Sequence, residues 1–221
     1  MGFVRLDRAG FPFIGGALVI ALIAGTLAGW LAAAPFLVLA AFFAFFFRDP
    51  DRVAPDERDT IVLSPADGRV LVAGPAVPEA APTGQWQQIS IFLSPMDVHV
   101  NRVPISGRVT GVSFTRGRFL PAYHRDAAAA NERSEIWIDH DGQPVVARQI
   151  VGILARRVVC RVESGADVRA GDRFGIMKFG SRMDVFVPGS ASLAVQVGQT
   201  VRGGETVIAV LHSGHPRPGD R

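Results

Sequence analysis

From residue 11 to residue 47 the chain carries no Asp, Glu, Lys, Arg or His. A stretch this apolar has to be covered, and its length suits a bilayer. As one straight helix it would reach roughly 55 Å, whereas a hydrocarbon core is roughly 30 Å thick. A break between Gly29 and Pro35 divides it into residues 11–30 and 31–47, each about one crossing long. The expectation is a tight helical hairpin, residues 1–47, that anchors the chain. Arg5 and Arg8 precede the run and Arg48 and Arg52 follow it. The positive-inside rule then places both flanks, and everything after them, on the cytoplasmic side of the cell (inner) membrane. Anionic lipid headgroups suit those arginines as partners. A cleaved signal peptide is the alternative kept open by Ala32-Ala33-Ala34, but the run is too long and lacks a polar cleavage region.

The remaining residues, 48–221, are enough for one compact domain. A net charge of +3 includes 23 basic residues, of which Lys178 is the only lysine. The arginines are scattered, without a basic helix or an interleaved aromatic platform, so the chain has no nucleic-acid signature. Cys160 is the sole cysteine, which excludes an internal disulfide and a Cys-x-x-Cys redox or zinc site. Short Val/Ile-rich runs alternate with Gly, Pro and Asp turns, predicting strands at residues 60–63, 68–73, 87–92, 107–114, 134–139, 145–150, 157–162 and 185–186. Residues 126–133 fit either one short helix capped by Asp126 or a loop. The valines of residues 195–207, spaced by paired turn residues, read as tight hairpins. The fold class is therefore mainly β, a compact sandwich or barrel-like domain whose layout resembles biotinyl and lipoyl carrier modules.

Three constellations could carry chemistry. Ser64-Pro65-Ala66-Asp67-Gly68 places a carboxylate in a turn between two strands. Residues 94–104 pack Asp97, His99, Asn101 and Arg102 behind an apolar strand, and an extended backbone would put Asp97, His99 and Asn101 on one face. A histidine there suits proton transfer near neutral pH. In Lys178-Phe179-Gly180-Ser181 a hydroxyl follows a glycine whose carbonyl no side chain shields. Each pattern alone is as easily a turn or a solvated strand face.

In order, Pro65-Ala66-Asp67-Gly68, Ser94-Pro95-Met96-Asp97-Val98-His99, Asn131-Glu132-Arg133 and Lys178-Phe179-Gly180-Ser181 resemble the phosphatidylserine decarboxylase family, in particular its short bacterial and archaeal type. The resemblance spans residues 48–188 together with the apolar N-terminus. It implies a proenzyme in which the Ser181 hydroxyl attacks the Gly180 carbonyl. The products would be a β chain, residues 1–180, and an α chain, residues 181–221, held as a heterodimer. Ser181 would end as a pyruvoyl group, with no metal, whose ketone condenses with the amine of phosphatidylserine in the membrane. By motif position Asp67 matches the aspartate of self-cleavage, and His99 the first of two histidines found in longer members. Arg102 stands where the second would be. Either His99 serves both cleavage and decarboxylation, which is the reading adopted, or a group such as His124 takes one step. Arg102, Asn131, Glu132 and Arg133 are the candidate substrate-binding residues. Two rivals remain at this level. One is a membrane-tethered carrier modified at Lys178, since carrier modules present a lysine beside a methionine. The other is a noncatalytic adaptor.

Overall fold

The computed structural model describes residues 5–55, 59–79, 81–124, 126–153, 158–178 and 181–212. A two-residue strand, β1 (Arg5–Leu6), leads into helix α1 (Phe11–Ala28), which Gly29 joins to α2 (Trp30–Phe46). The hairpin turns on Gly29 alone, whose φ of 83° lies in the left-handed region that glycine adopts freely. Pro35 does not break the helix: it lies in the second turn of α2, where it removes one backbone hydrogen bond without stopping the winding. Ala17 and Ala21 of α1 and Ala33 and Ala40 of α2 are buried, so small side chains let the two helices pack closely. Leu22, Leu27, Leu31 and Val38 point outward, exposed. The segment Arg8–Ala28 is long and apolar enough to cross a membrane, by length and composition.

The hairpin is stitched to the rest of the chain. β1 pairs antiparallel with β2 (Arg48–Asp49), and both Asp7 carboxylate oxygens accept hydrogen bonds from Arg161, at 2.6 and 2.7 Å. Beyond β2 the protein is mainly β, with a curled, half-barrel sheet. In chain order follow β3 (Ile61–Leu63), β4 (Gly68–Pro75), β5 (Trp86–Leu93), β6 (Val100–Arg102), β7 (Gly107–Thr115) and the short helix α3 (Ala127–Ala130). Then come β8 (Arg133–His140), β9 (Gln143–Ile150), β10 (Val158–Cys160), β11 (Asp167–Val168), β12 (Arg173–Met177) and β13 (Ser181–Pro188). The last are β14 (Ser192–Leu193), β15 (Thr200–Val201) and β16 (Val207–Val210). The large sheet has the order β11-β7-β8-β9-β13-β5-β4-β15, and two three-stranded sheets, β10-β12-β6 and β14-β16-β3, flank it.

Strands occupy the expected stretches, Arg157 at the head of one lying outside the described residues, while the helix is confined to Ala127–Ala130: Asn131 is extended, Arg133 opens β8, and Asp126 stands at the N-cap without a side-chain cap bond. The valine repeat differs from expectation. β15 pairs with β4, and β16 pairs with β3 and β14, so those valines join distant strands rather than neighbouring hairpin arms.

β13 is the central strand, and only its last residue is less than fully buried. Met183, Val185 and Val187 face the main apolar core with Ile89, Ile91 and Leu93 of β5. On the opposite face Arg182 and Asp184 form a buried ion pair, Nε to Oδ1 at 2.6 Å, which Ser90 and Gln88 extend. Removing one member of such a pair strands the other charge away from water. Asp184→Ala is expected to cost about 3–5 kcal/mol, read as a lowered thermal unfolding midpoint in detergent. A midpoint equal to that of the parent chain would show that the pair contributes nothing.

Candidate active site

The chain approaches Ser181 by two routes that both pass His99. β6 and β12 are paired, so the Met177 amide donates to the His99 carbonyl at 3.2 Å, and Ser181 follows four residues after Met177. Ser181 opens β13 opposite Leu93, the last residue of β5, and the turn after Leu93 leads back to His99. Phe179 and Gly180 lie outside the described residues.

Both candidate reactive atoms are buried. Ser181 Oγ and His99 Nε2 have no hydrogen-bond partner among the described residues, and both residues are fully enclosed. His99 Nδ1 lies 2.9 Å from the Asp97 carbonyl. A carbonyl only accepts, so Nδ1 carries the hydrogen and the neutral ring keeps its lone pair on Nε2. The ring stacks on Phe46, the last residue of α2, with centroids 4.0 Å apart. Burial pulls the histidine down to about 4, against the Asp97 hydrogen bond and charge, which raise it, and with Arg48, which lowers it further. The ring is therefore neutral at pH 7, a buried base with a fixed tautomer.

Asp97 is not beside His99 on a strand face. It folds back into a turn where its Oδ2 accepts from the Ser94 amide at 2.7 Å. Asp67 is likewise engaged elsewhere: Oδ2 accepts from Arg52 at 2.7 Å and Oδ1 from the Gly203 amide at 2.7 Å. Among the described residues no hydrogen bond joins Asp67 to His99 or Ser181. Burial raises the Asp67 pKa, an effect that the Gly203 amide and Arg52 offset only in part. Gly68 follows because a Cβ there would sit 2.1 Å from the Phe92 carbonyl oxygen, so β4 can meet β5 only through a glycine.

The candidate binding residues are spread over separate places. Arg102 is buried, its guanidinium donating to Asp49, Pro50 and Gly171. Asn131, fully buried, ties its loop down through the Leu120 amide and the Leu120 and Val151 carbonyls, at 2.8 to 2.9 Å. The Glu132 backbone joins Arg118 to Val151, and Arg133 donates to the Ala129 carbonyl. His124 is exposed beside Asp126. Half-buried Lys178 rests with Nζ 5.1 Å from the Phe13 ring centroid, against the hairpin.

Two contributors carried no recognisable sequence signal. Gln149, inside a buried stretch of β9, crosses between sheets and donates to Asn101 Oδ1 at 2.7 Å. That leaves Asn101 Nδ2 as a buried donor without a partner among the described residues. Phe46 is one phenylalanine in a Phe-rich run. Among the described residues no group of three or more His, Cys, Asp or Glu could hold a metal ion.

A family model described as phosphatidylserine decarboxylase matches residues 39–209. The chain is 42% identical over 219 residues to the phosphatidylserine decarboxylase proenzyme of Paramagnetospirillum magneticum, covering 94% of this chain and 88% of that protein. It is 41% identical over 212 residues to the proenzyme of Nitrosomonas europaea, with 94% and 95% coverage. The proenzyme of Pelodictyon phaeoclathratiforme is 46% identical over 169 residues, with 76% and 78% coverage.

Proposed function

The chain belongs to the phosphatidylserine decarboxylase family, and on that premise we propose that it cuts itself between Gly180 and Ser181 and then converts phosphatidylserine to phosphatidylethanolamine. The observation that supports this reading is the pair of enclosed atoms, Ser181 Oγ and His99 Nε2, unpartnered among the described residues, at positions to which strand pairing leads from both sides. A buried hydroxyl and a buried lone pair without partners are costly unless they have a use.

His99 Nε2 takes the hydroxyl proton as Oγ adds to the Gly180 carbonyl carbon. The bond from that carbon to the Ser181 nitrogen breaks, the nitrogen is protonated, and an ester remains. Asn101 Nδ2 is the donor suited to the oxygen on which charge develops during the attack. Loss of the Ser181 α-proton expels the Gly180 carboxylate and leaves dehydroalanine, and water then replaces its nitrogen, released as ammonia. The buried Ser181 Oγ and His99 Nε2, unpartnered among the described residues, suit the small pyruvoyl group so formed, which would supply the ketone that takes up the substrate amine and accepts the electrons left as carbon dioxide departs. Asp67 acts from a distance, locking Arg52 and the Gly203 amide in place. Asn131, Glu132 and Arg133 hold the loop that borders the Ser181 end of the sheet. The hairpin sits in the membrane with the β domain on its cytoplasmic side, so a diacyl substrate reaches the site without leaving the bilayer.

Intact mass and denaturing electrophoresis of the detergent-purified chain test the reading. Two pieces are expected, residues 1–180 and residues 181–221, the smaller one lighter by one ammonia than a peptide starting with serine. Micellar phosphatidylserine should release carbon dioxide in the same preparation. A full-length chain that still decarboxylates would sink the reading, as would one with mass added at Lys178.

A further inference from the structure

The apolar hairpin ends on the proposed base. Phe46 is the last residue of α2, is fully buried, and lies over the His99 ring with the two planes 31° apart. Its own position is fixed by Phe47, Val98, Val100 and Ile176, which form one buried cluster with it, and by Phe42 packed alongside. The sheet that holds His99 beside Met177 also leads from β10 to Arg161, the partner of Asp7 at the head of the hairpin. Hairpin and histidine are therefore held by the same small sheet.

We propose that the hairpin is part of the self-cleavage site and not a tether alone: Phe46 is a positioning residue that keeps the His99 ring dry and fixed, so the cut at Ser181 requires a docked hairpin. The proposal rests on the reading of His99 as the base. Among the described residues the Asp97 carbonyl accepts a hydrogen bond from Nδ1, and Phe46 covers one face of the ring. With the phenyl ring gone, that face of the imidazole would lose its cover and the ring would be held less firmly about the Asp97 bond. The charged groups that act on His99 are Asp97, on its own segment, and Arg48, just beyond α2. Arg48 donates to the Phe45 and Met96 carbonyls, so the same helix end also fixes the turn that carries Asp97.

The experiment makes the full-length chain by cell-free translation into detergent and follows cleavage of the fresh product by electrophoresis over a pH series. In the parent chain, cleavage should persist down to about pH 5, since His99 remains unprotonated until about 4. Phe46→Ala is expected to slow cleavage at least ~10-fold at pH 7 and to move the acid fall-off toward the ordinary histidine value of 6.5. Phe46→Leu, which keeps bulk and the fold but not the ring, should shift the same limb, and Phe46→Tyr should restore it. Parent-like rates and an unmoved limb in both Phe46→Ala and Phe46→Leu would overturn the proposal. Nuclear magnetic resonance of labelled histidine in the uncut Ser181→Ala background gives a separate readout. His99 titrating near 4 with and without Phe46 would equally overturn it. Normal cleavage by His99→Ala would instead overturn the base assignment, while the resonance shift still decides whether Phe46 holds the ring.

Discussion

Ser181→Ala is expected to remain a single uncut chain and to release no carbon dioxide from phosphatidylserine. The substitution removes the only atom proposed to open the Gly180-Ser181 bond and the only source of the ketone. It should do so without harming the fold. Ser181 Oγ is buried with no partner among the described residues, and deleting a buried hydroxyl that bonds to nothing is close to neutral or slightly stabilising. The expected result is loss of both reactions with a thermal midpoint at or above that of the parent preparation. Intact mass, carbon dioxide release and a melting curve on one preparation check it. A Ser181→Ala chain that appears as two pieces would remove Ser181 as nucleophile.

His99→Ala should slow self-cleavage by roughly 10²- to 10⁴-fold, whereas His124→Ala, changing an exposed side chain beside Asp126, should leave the rate unchanged. Equal effects of the two would reject the choice between them. His99 also sets a stability window. Its folded pKa, about 4, is depressed by burial below the ordinary 6.5, so the unfolded chain binds the extra proton first. Stability from this group is fully present above about 6.5, falls as the pH drops through the interval, and levels off below about 4. The total loss is about 3 kcal/mol. Chemical denaturation of the Ser181→Ala chain between pH 7 and pH 4 measures it, and His99→Ala should flatten that part of the slope.

The apolar hairpin was legible in the sequence because it needs only the absence of charge over a long run, a local property. So were most strands, from their valines and isoleucines. The turn at Gly29 rather than Pro35 was harder to read, since a proline early in a helix and a left-handed glycine both interrupt hydrogen bonding. The ordered motifs named the family, but motif position does not say what a side chain touches. Arg102 reads in the sequence as the replacement for a histidine or a candidate substrate-binding residue. In the fold it is buried, and a buried guanidinium has to find a carboxylate and carbonyls, here Asp49, Pro50 and Gly171. Asp67 stands apart from His99 for a similar reason, because Arg52 and the Gly203 amide satisfy both of its oxygens. Gln149 and Phe46 meet the site through contacts between residues far apart in the chain, which no local pattern reports.

A scission ahead of Ser181 would fall at the first residue of a strand zipped on both sides, to β5 and to β9. The smaller product would also keep β15 on β4 and β16 on β3. It could not drift away without the sheet coming apart, so native mass would stay that of one particle. The change would surface only on refolding. The uncut chain returns to its fold as a first-order process at any dilution, while the cut protein has to bring two strangers together, with a yield that falls as it is diluted. Maturation would thus turn a reversible fold into one that, once lost, is recovered only at high concentration.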